Sequence, residues 1–434
     1  MKDQNAQHLL ARVMGWEEQE TILARVPNLK LLADYKYDNY QRYAPGRRFV
    51  ESLALWLNQF DVSDRQAALE FVERQLVYFS DQELSHLVQL AYPDVIVQER
   101  LRLVAEENGL PNYRVGEISR HPRFHELQLK SLFLGLSDGA RTNELRRASR
   151  GEISNEQIWQ AYELGDAKAE DMLDELRSAL TKKAPLTTNE QIWSALDAGQ
   201  EDIANALIDG LRLPVPNVTN AQILAAFSVG DRVEAGRLVD EIRNSHTIAM
   251  PVTQDPKFNL IWLLDDFSGS GNTYIRFDSK TGKFKGKIRK IYDRLHQGDL
   301  IDPSHYEVFL LLYVATRQAI DHIEYWAERF TSEFGYKPLQ LRVLCPIEGN
   351  VALKRPAPSE PDTILSNKKY YDAEASDKHI AIGGTADAQM GFADCALPVV
   401  LSHNTPNNSV YILWGPESYK FFGLFPRVSR HKEF

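Results

Sequence analysis

The stretch Phe258-Asn-Leu-Ile-Trp-Leu-Leu-Asp265-Asp266-Phe267-Ser268-Gly269-Ser270-Gly271-Asn272-Thr273 constrains this chain more than any other. It opens with a continuous apolar run, the signature of a strand buried on both faces. Two adjacent carboxylates follow, then a loop of Ser, Gly and Thr, then residues that can restart as a helix. A parallel strand ending in this way is a place to hold a phosphorylated sugar. The N–H groups of the loop, with the N-terminus of a following helix, cradle a phosphate dianion. Neighbouring carboxylates accept hydrogen bonds from vicinal ribose hydroxyls or anchor a hydrated Mg²⁺. The competing reading is an ordinary strand–turn–helix with a solvated Asp pair.

The rest of the chain sets the frame. Its 434 residues are enough for two or three domains, and 43% hydrophobic with 25% charged residues is the composition of an ordinary soluble protein. A net charge of −10 argues against a binder that meets nucleic acid with its whole surface, though it leaves room for a local basic patch. Cys345 and Cys395 are the two cysteines, far apart and without metal-type spacing, so reduced thiols in a cytoplasmic protein are expected. The opening Met-Lys-Asp-Gln-Asn-Ala-Gln-His lacks the apolar core of a signal peptide, and no stretch approaches transmembrane length. A cytoplasmic location without a membrane is the expectation.

Residues 1–120 read as a helical N-terminal domain. Apolar residues recur at helical spacing from Phe49 to Leu57 and from Ala67 to Phe79, and Ser80-Asp-Gln-Glu83 forms a capping box. Tyr35 to Phe49 interleaves aromatic and basic residues, which suits an arm packed on its own domain and, alternatively, a single-stranded nucleic acid. Leu127 to Leu136 reads as a strand, followed by the turn Ser137-Asp138-Gly139-Ala140-Arg141; with its flanks this is a segment 121–152 of the α/β core. Residues 153–245 read as an inserted helical repeat of three units. They open at Ser154-Asn-Glu-Gln157, Thr188-Asn-Glu-Gln191 and Thr219-Asn-Ala-Gln222, each with a Gly at the same later offset.

Residues 246–434 hold the rest of the core. Arg276 to Lys290 is a basic run close to the Asp–Asp loop, Val308 to Ile320 reads as a buried helix, and Leu339 to Pro346 as a parallel strand. Asn350 to about Lys378 reads as an exposed loop. A last strand, Leu397 to Leu401, leads into Ser402-His403-Asn404-Thr405-Pro406-Asn407-Asn408-Ser409. The amides of Asn404, Asn407 and Asn408, with Trp414 nearby in sequence, could read a base edge and stack on it; they are also ordinary turn residues.

The Asp–Asp stretch resembles, without a gap, the phosphoribosyl diphosphate signature of type I phosphoribosyltransferases. Asp265 and Asp266 take its acid positions, Ser270 its first Thr, Gly271 its Gly and Thr273 its last Thr. Ser268 departs from a hydrophobic position, and Gly269 stands where purine-transferring members often carry an Asp that handles the base proton. The resemblance implies an α/β fold with a type I phosphoribosyltransferase-like parallel sheet. It further implies that Asp265 and Asp266 hold the ribose hydroxyls directly or through Mg²⁺. Ser268, Gly269, Ser270, Gly271, Asn272 and Thr273 would hold the 5′-phosphate. Ser137, Asp138, Gly139, Ala140 and Arg141 become candidates for the diphosphate loop, and the repeats for a replacement of the mobile hood.

With Phe133 to Arg141, Thr405 to Ser409 and the terminal Leu-Phe-Pro-Arg427, the chain resembles a branch of phosphoribosyltransferase-like effectors in bacterial conflict and anti-phage systems, the retron-associated type. That resemblance implies a cytoplasmic defence toxin acting at C1 of phosphoribosyl diphosphate or a nucleotide, by transfer or hydrolysis. Partners would hold it inactive: a reverse transcriptase with its RNA and DNA, and a winged-helix protein, with self-association as a further expectation. A catalytically silent nucleotide sensor and a nucleic-acid-binding effector are the alternatives.

Overall fold

The structure is a computed structural model that describes residues 3–16, 19–41, 48–164, 166–181, 189–209, 218–249, 257–355, 363–376 and 380–427. Among these, the strands are β1 (Val77–Phe79), β2 (Ser131–Gly135), β3 (Ile158–Gln160), β4 (Leu260–Ser268), β5 (Arg276–Asp278), β6 (Lys283–Lys285), β7 (Glu307–Thr316), β8 (Leu339–Ile347) and β9 (Val399–Leu401). The apolar run before the acids is β4, the centre of a five-stranded parallel sheet of order β3-β2-β4-β7-β8. This is an α/β fold of the phosphoribosyltransferase-like kind, as the sequence implied.

Successive β4 side chains point to opposite faces, and each face carries its own layer. Ile261 and Leu263 pack with helices Lys287–Gln297 and Arg317–Phe334, whereas Leu260, Trp262 and Leu264 pack with helices Val97–Asn108 and Thr142–Ala148. The chain leaves β2 through helix Thr142–Ala148 on one face and moves outward to β3. It leaves β4 through helix Lys287–Gln297 on the other face and moves the opposite way to β7. The strand order therefore reverses between β2 and β4. In open parallel sheets the loops at the carboxyl ends part at such a point and leave a crevice for a ligand.

A separate core joins the two ends of the chain. Leu10, Leu29, Leu53 and Trp56 pack with Tyr370, Ile412 and Phe425, β1 pairs in parallel with β9, and the Trp56 indole N–H donates to the Ile412 carbonyl at 2.9 Å. Tyr37 and Tyr40 lie against this core, Tyr37 on Phe49, Tyr78 and Phe425 and Tyr40 on Phe425, so these rings of the aromatic arm are packed, whereas Tyr35 is exposed; Arg42 to Arg47 lie outside the described residues. Ile364, Tyr370 and Ala375 are buried there too, within the stretch read as an exposed loop.

Several local expectations change. Leu127 and Leu129 belong to helix Pro122–Leu129, started by His121 as N-cap and Pro122 in the first turn, and the strand begins only at Ser131. Val308 to Ala315 is strand β7, not a helix: an apolar run buried on both faces carries no period that separates the two. The third repeat unit is a helix pair capped by Thr219, and the second is helical from Asn189, with Thr188 outside the described residues. Their shared core includes Ile192, Ile208, Ile223 and Val239, with Trp193 stacked on Phe227 at 5.2 Å.

The first unit differs. The Ser154 N–H still donates to Gln157 Oε1 at 3.0 Å, but the next three residues extend into β3, where the open edge of β2 supplies hydrogen bonds a lone helix turn would lack. Gln157 anchors the switch by donating to the carbonyls of Gln128 and Ser131 at 2.6 and 3.0 Å.

Trp262 centres the sheet, stacked on Phe309 at 4.2 Å between ring centroids and facing Phe133 at 6.5 Å. Its buried indole N–H has no partner among the described residues. Trp262→Ala should cost about 3–5 kcal/mol in chemical denaturation, because the surrounding rings cannot close the void. Trp262→Phe should cost far less, since it keeps the stack and removes the unpartnered donor; equal losses for both would contradict this packing.

Candidate functional site

The reversal point lies where β2 and β4 end, and the loops after both strands meet over Asp265 and Asp266. The alternation of β4 sends these two carboxylates to different sides. Asp265 faces the layer of helix Lys287–Gln297. The Ser137 hydroxyl donates to its Oδ1, the Tyr274 hydroxyl to its Oδ2 at 2.9 Å, and Lys287 Nζ lies 3.5 Å from Oδ2 while donating to the Leu136 carbonyl at 2.7 Å. Asp266 turns the other way, where His403 Nε2 lies 2.8 Å from its Oδ2. Both acids are buried, whereas the His403 side chain is 36% exposed.

These surroundings split the pair electrostatically. Burial, then the neighbouring Asp266 charge, pushes Asp265 up from the ordinary 3.8 to about 6, against the pull of Lys287, Ser137 and Tyr274. Burial works on Asp266 in the same direction, but the hydrogen bond and charge of His403 outweigh it and hold that carboxyl below its usual range. Burial, followed by the charge of Asp265, drives the Tyr274 hydroxyl far up, so that it stays a donor.

The loop after β4 closes tightly. Thr316 Oγ1, the N-cap of helix Arg317–Phe334, donates to the Gly269 carbonyl at 2.6 Å, and Asn272 N–H donates to Ser270 Oγ at 3.4 Å. Gly271 has φ +76°, and a Cβ there would lie 3.0 Å from the Ala319 carbonyl. Ser268 and Ser270 are buried, and Thr273 is exposed. The main-chain N–H groups of Ser270, Gly271 and Thr273 donate to no protein acceptor among the described residues. In place of the expected helix, the chain runs from Thr273 into the β5–β6 hairpin, and helix Lys287–Gln297 begins 14 positions later. The Lys287 N–H donates back to the Thr273 carbonyl at 3.1 Å, which ties that helix start to the loop.

The loop after β2 meets the acids through Ser137 and Gly139. Gly139 N–H donates to Ser137 Oγ at 3.1 Å, and a Cβ on Gly139 would come 2.5 Å from Asp266 Oδ2. Asp138 is exposed, and the Ala140 carbonyl accepts from the Tyr313 hydroxyl at 3.0 Å. Arg141 points away from the acids into ion pairs with Asp81 at 2.7 Å and Glu144 at 2.9 Å.

The four candidate base contacts are dispersed. Asn408 lies against Gly269, whose Cβ would be 2.4 Å from Asn408 Cγ, and its amide donates to the Phe392 carbonyl at 3.3 Å. Asn404 Oδ1 accepts from Thr405 N–H at 3.0 Å, and the Asn407 carbonyl accepts from Phe392 N–H at 2.6 Å. Trp414 is buried in the core shared by the chain ends, its indole N–H on the Ser409 carbonyl at 2.8 Å. Sequence reasoning missed three residues at the acids: Tyr274, Lys287 and His403. Lys287 carried a signal, as part of the basic run; His403 stood in a stretch read for its amides.

Carboxylates are hard oxygen donors of the kind magnesium takes. Lys287 and His403 already lie against them, and no group of three or more His, Cys, Asp or Glu side chains is placed to hold an ion among the described residues. This donor set suits a dication that arrives with its own phosphate ligands, not one held by protein side chains alone.

Residues 235–427 match the family model PRTase-CE, so this part of the chain is phosphoribosyltransferase-like. The matched span contains β4, its loop and the segment carrying His403, and leaves β2 and residues 137–141 outside. No curated protein and no solved structure matches the chain. No helix among the described residues is long and apolar enough to cross a membrane.

Because Asp265 holds its proton more tightly folded than unfolded, its contribution to stability falls as pH rises from about 4 to about 6. Asp265→Asn removes the charge while its amide oxygen still accepts from Tyr274 and its NH2 group faces the Ser137 hydroxyl, which can turn to accept. Its gain in Tm over the parent should grow between pH 4 and 7 and then level off. A gain that shrinks with rising pH in the same melting series would contradict this account of the site.

Proposed function

We propose that the crevice between the ends of β2 and β4 binds the phosphoribosyl group of phosphoribosyl diphosphate or a nucleotide and supports substitution or hydrolysis at its C1. The observation that carries this reading is the convergence of two small-residue loops on a buried acid pair at the reversal point of the sheet. The N–H groups of Ser270, Gly271 and Thr273, which meet no acceptor among the described residues, suit the 5′-phosphate together with the hydroxyls of Ser268, Ser270 and Thr273. Asp265 and Asp266 would accept from the ribose hydroxyls. Departure of the group on C1 builds positive charge on the sugar, which two adjacent carboxylates stabilise most strongly where water is excluded. Magnesium belongs to this reading as the counter-ion that a diphosphate brings, neutralising it as it leaves.

Beside it, the sequence resemblance to retron-associated effectors supports a role as a cytoplasmic anti-phage effector restrained by partner components until infection. One observation favours a second reading, a nucleotide sensor without turnover: Ser137, Tyr274, Lys287 and His403 already occupy acceptor positions on both acids, as a substrate's hydroxyls would.

Calorimetry with phosphoribosyl diphosphate and magnesium, with the phosphorus spectrum followed in parallel, tests the proposal. The parent should bind and consume it. Asp265→Asn/Asp266→Asn should lose affinity at least tenfold while remaining folded. Gly139→Ala, which thrusts a methyl group at Asp266, should weaken binding in the same direction. Binding without consumption would favour the sensor, and equal binding by parent and double variant would remove the acids from the site.

A further inference from the structure

The structure assigns a proton-handling role to His403, with water as the group that attacks C1. This assignment rests on the phosphoribosyl reading above. Asp266 is buried and holds His403 Nε2 at 2.8 Å, while the imidazole is the more exposed of the two. A buried carboxylate that holds one imidazole nitrogen orients the ring and leaves the other nitrogen to take up a proton. Asp265 cannot take the same role, since Ser137, Tyr274 and Lys287 surround it.

The backbone that presents His403 is rigidly held. Ser402 N–H donates to the Phe79 carbonyl at 2.9 Å, Gln41 N–H to the Ser402 carbonyl at 2.8 Å, and the Thr405 hydroxyl to the Phe425 carbonyl at 2.8 Å. β9 leads directly into this turn. A side chain carried on such a mount keeps its place as substrate enters, which acid–base catalysis needs.

Space around the loop points the same way. Asn408 fills the volume beside Gly269, so no longer side chain fits at that position, and His403 is the imidazole that the described residues place on the acid pair. In the step we infer, His403 accepts a proton from water as the water oxygen bonds to C1. The bond from C1 to the diphosphate oxygen, or to the base nitrogen, breaks and its electron pair leaves with that group. The products are ribose 5-phosphate and diphosphate, or ribose 5-phosphate and the free base once it has taken up a proton.

The test compares the full chain with His403→Gln and His403→Ala. Hydrolysis of phosphoribosyl diphosphate and of nucleoside monophosphates is measured beside calorimetric binding of ribose 5-phosphate. Both variants should bind ribose 5-phosphate within a few-fold of the parent yet hydrolyse roughly a hundredfold more slowly or worse. Added imidazole should restore part of the rate to His403→Ala, which a merely structural role would not allow. Parent-like hydrolysis by the variants, loss without imidazole rescue, or a parent that binds but hydrolyses nothing would each overturn the role of His403 and leave the sugar-phosphate site standing. Absence of ribose 5-phosphate binding by the parent would overturn both.

Discussion

Two carboxylates side by side at the end of a buried strand are an expensive arrangement, and the surrounding structure is built to sustain it. Charge buried in a low-dielectric interior persists only with partners, and the four side-chain partners here come from three different parts of the chain. Ser137 arrives on the loop after β2, Tyr274 and Lys287 on the excursion after β4, and His403 on the turn after β9. The parallel sheet places the first two sources next to each other. The core joining the chain ends supplies the third.

The two acids are chemically unlike despite being neighbours. Asp265, raised and ringed by donors, is the more readily protonated; Asp266, lowered by its imidazole, stays charged. Environments that push apart the proton affinities of two adjacent groups give each a separate task. Here the difference follows from strand alternation alone: one residue further along β4, the side chain meets the opposite layer.

Much of this was legible in the sequence, for definable reasons. The run from Leu260 to Ser268 carries its own evidence for a doubly buried strand, and the acids and glycines follow it without interruption. Ser137 and Gly139 were legible as a loop after a strand, though not that they touch the acids. His403 was not, because its contact spans 137 positions and depends on how a second core docks. Two misreadings have the same root. Val308 to Ala315 lacks a period because both its faces are covered, and Ser154 to Gln160 opens with a helix signal that the free edge of β2 overrides. Local pattern decides where the alternative is solvent, and tertiary pairing decides where an open strand edge is near.

The shared core of the chain ends bears on how the molecule comes into being. Trp56, Leu53 and Tyr78 share their core with residues from Ile364 onward as well as with the first helices, and β1 has no partner until β9 exists. During synthesis, which runs from the N-terminus, the first helices can pack on one another, but their shared core stays open until the segment from Ile364 onward has been made. Contacts of such sequence separation carry a large loop-closure cost and slow folding. The acid pair also lacks His403 until β9 and the turn after it have formed. A nascent chain that has not reached that turn thus has its strand and its loops without the finished site, and competence comes in one step with the second core.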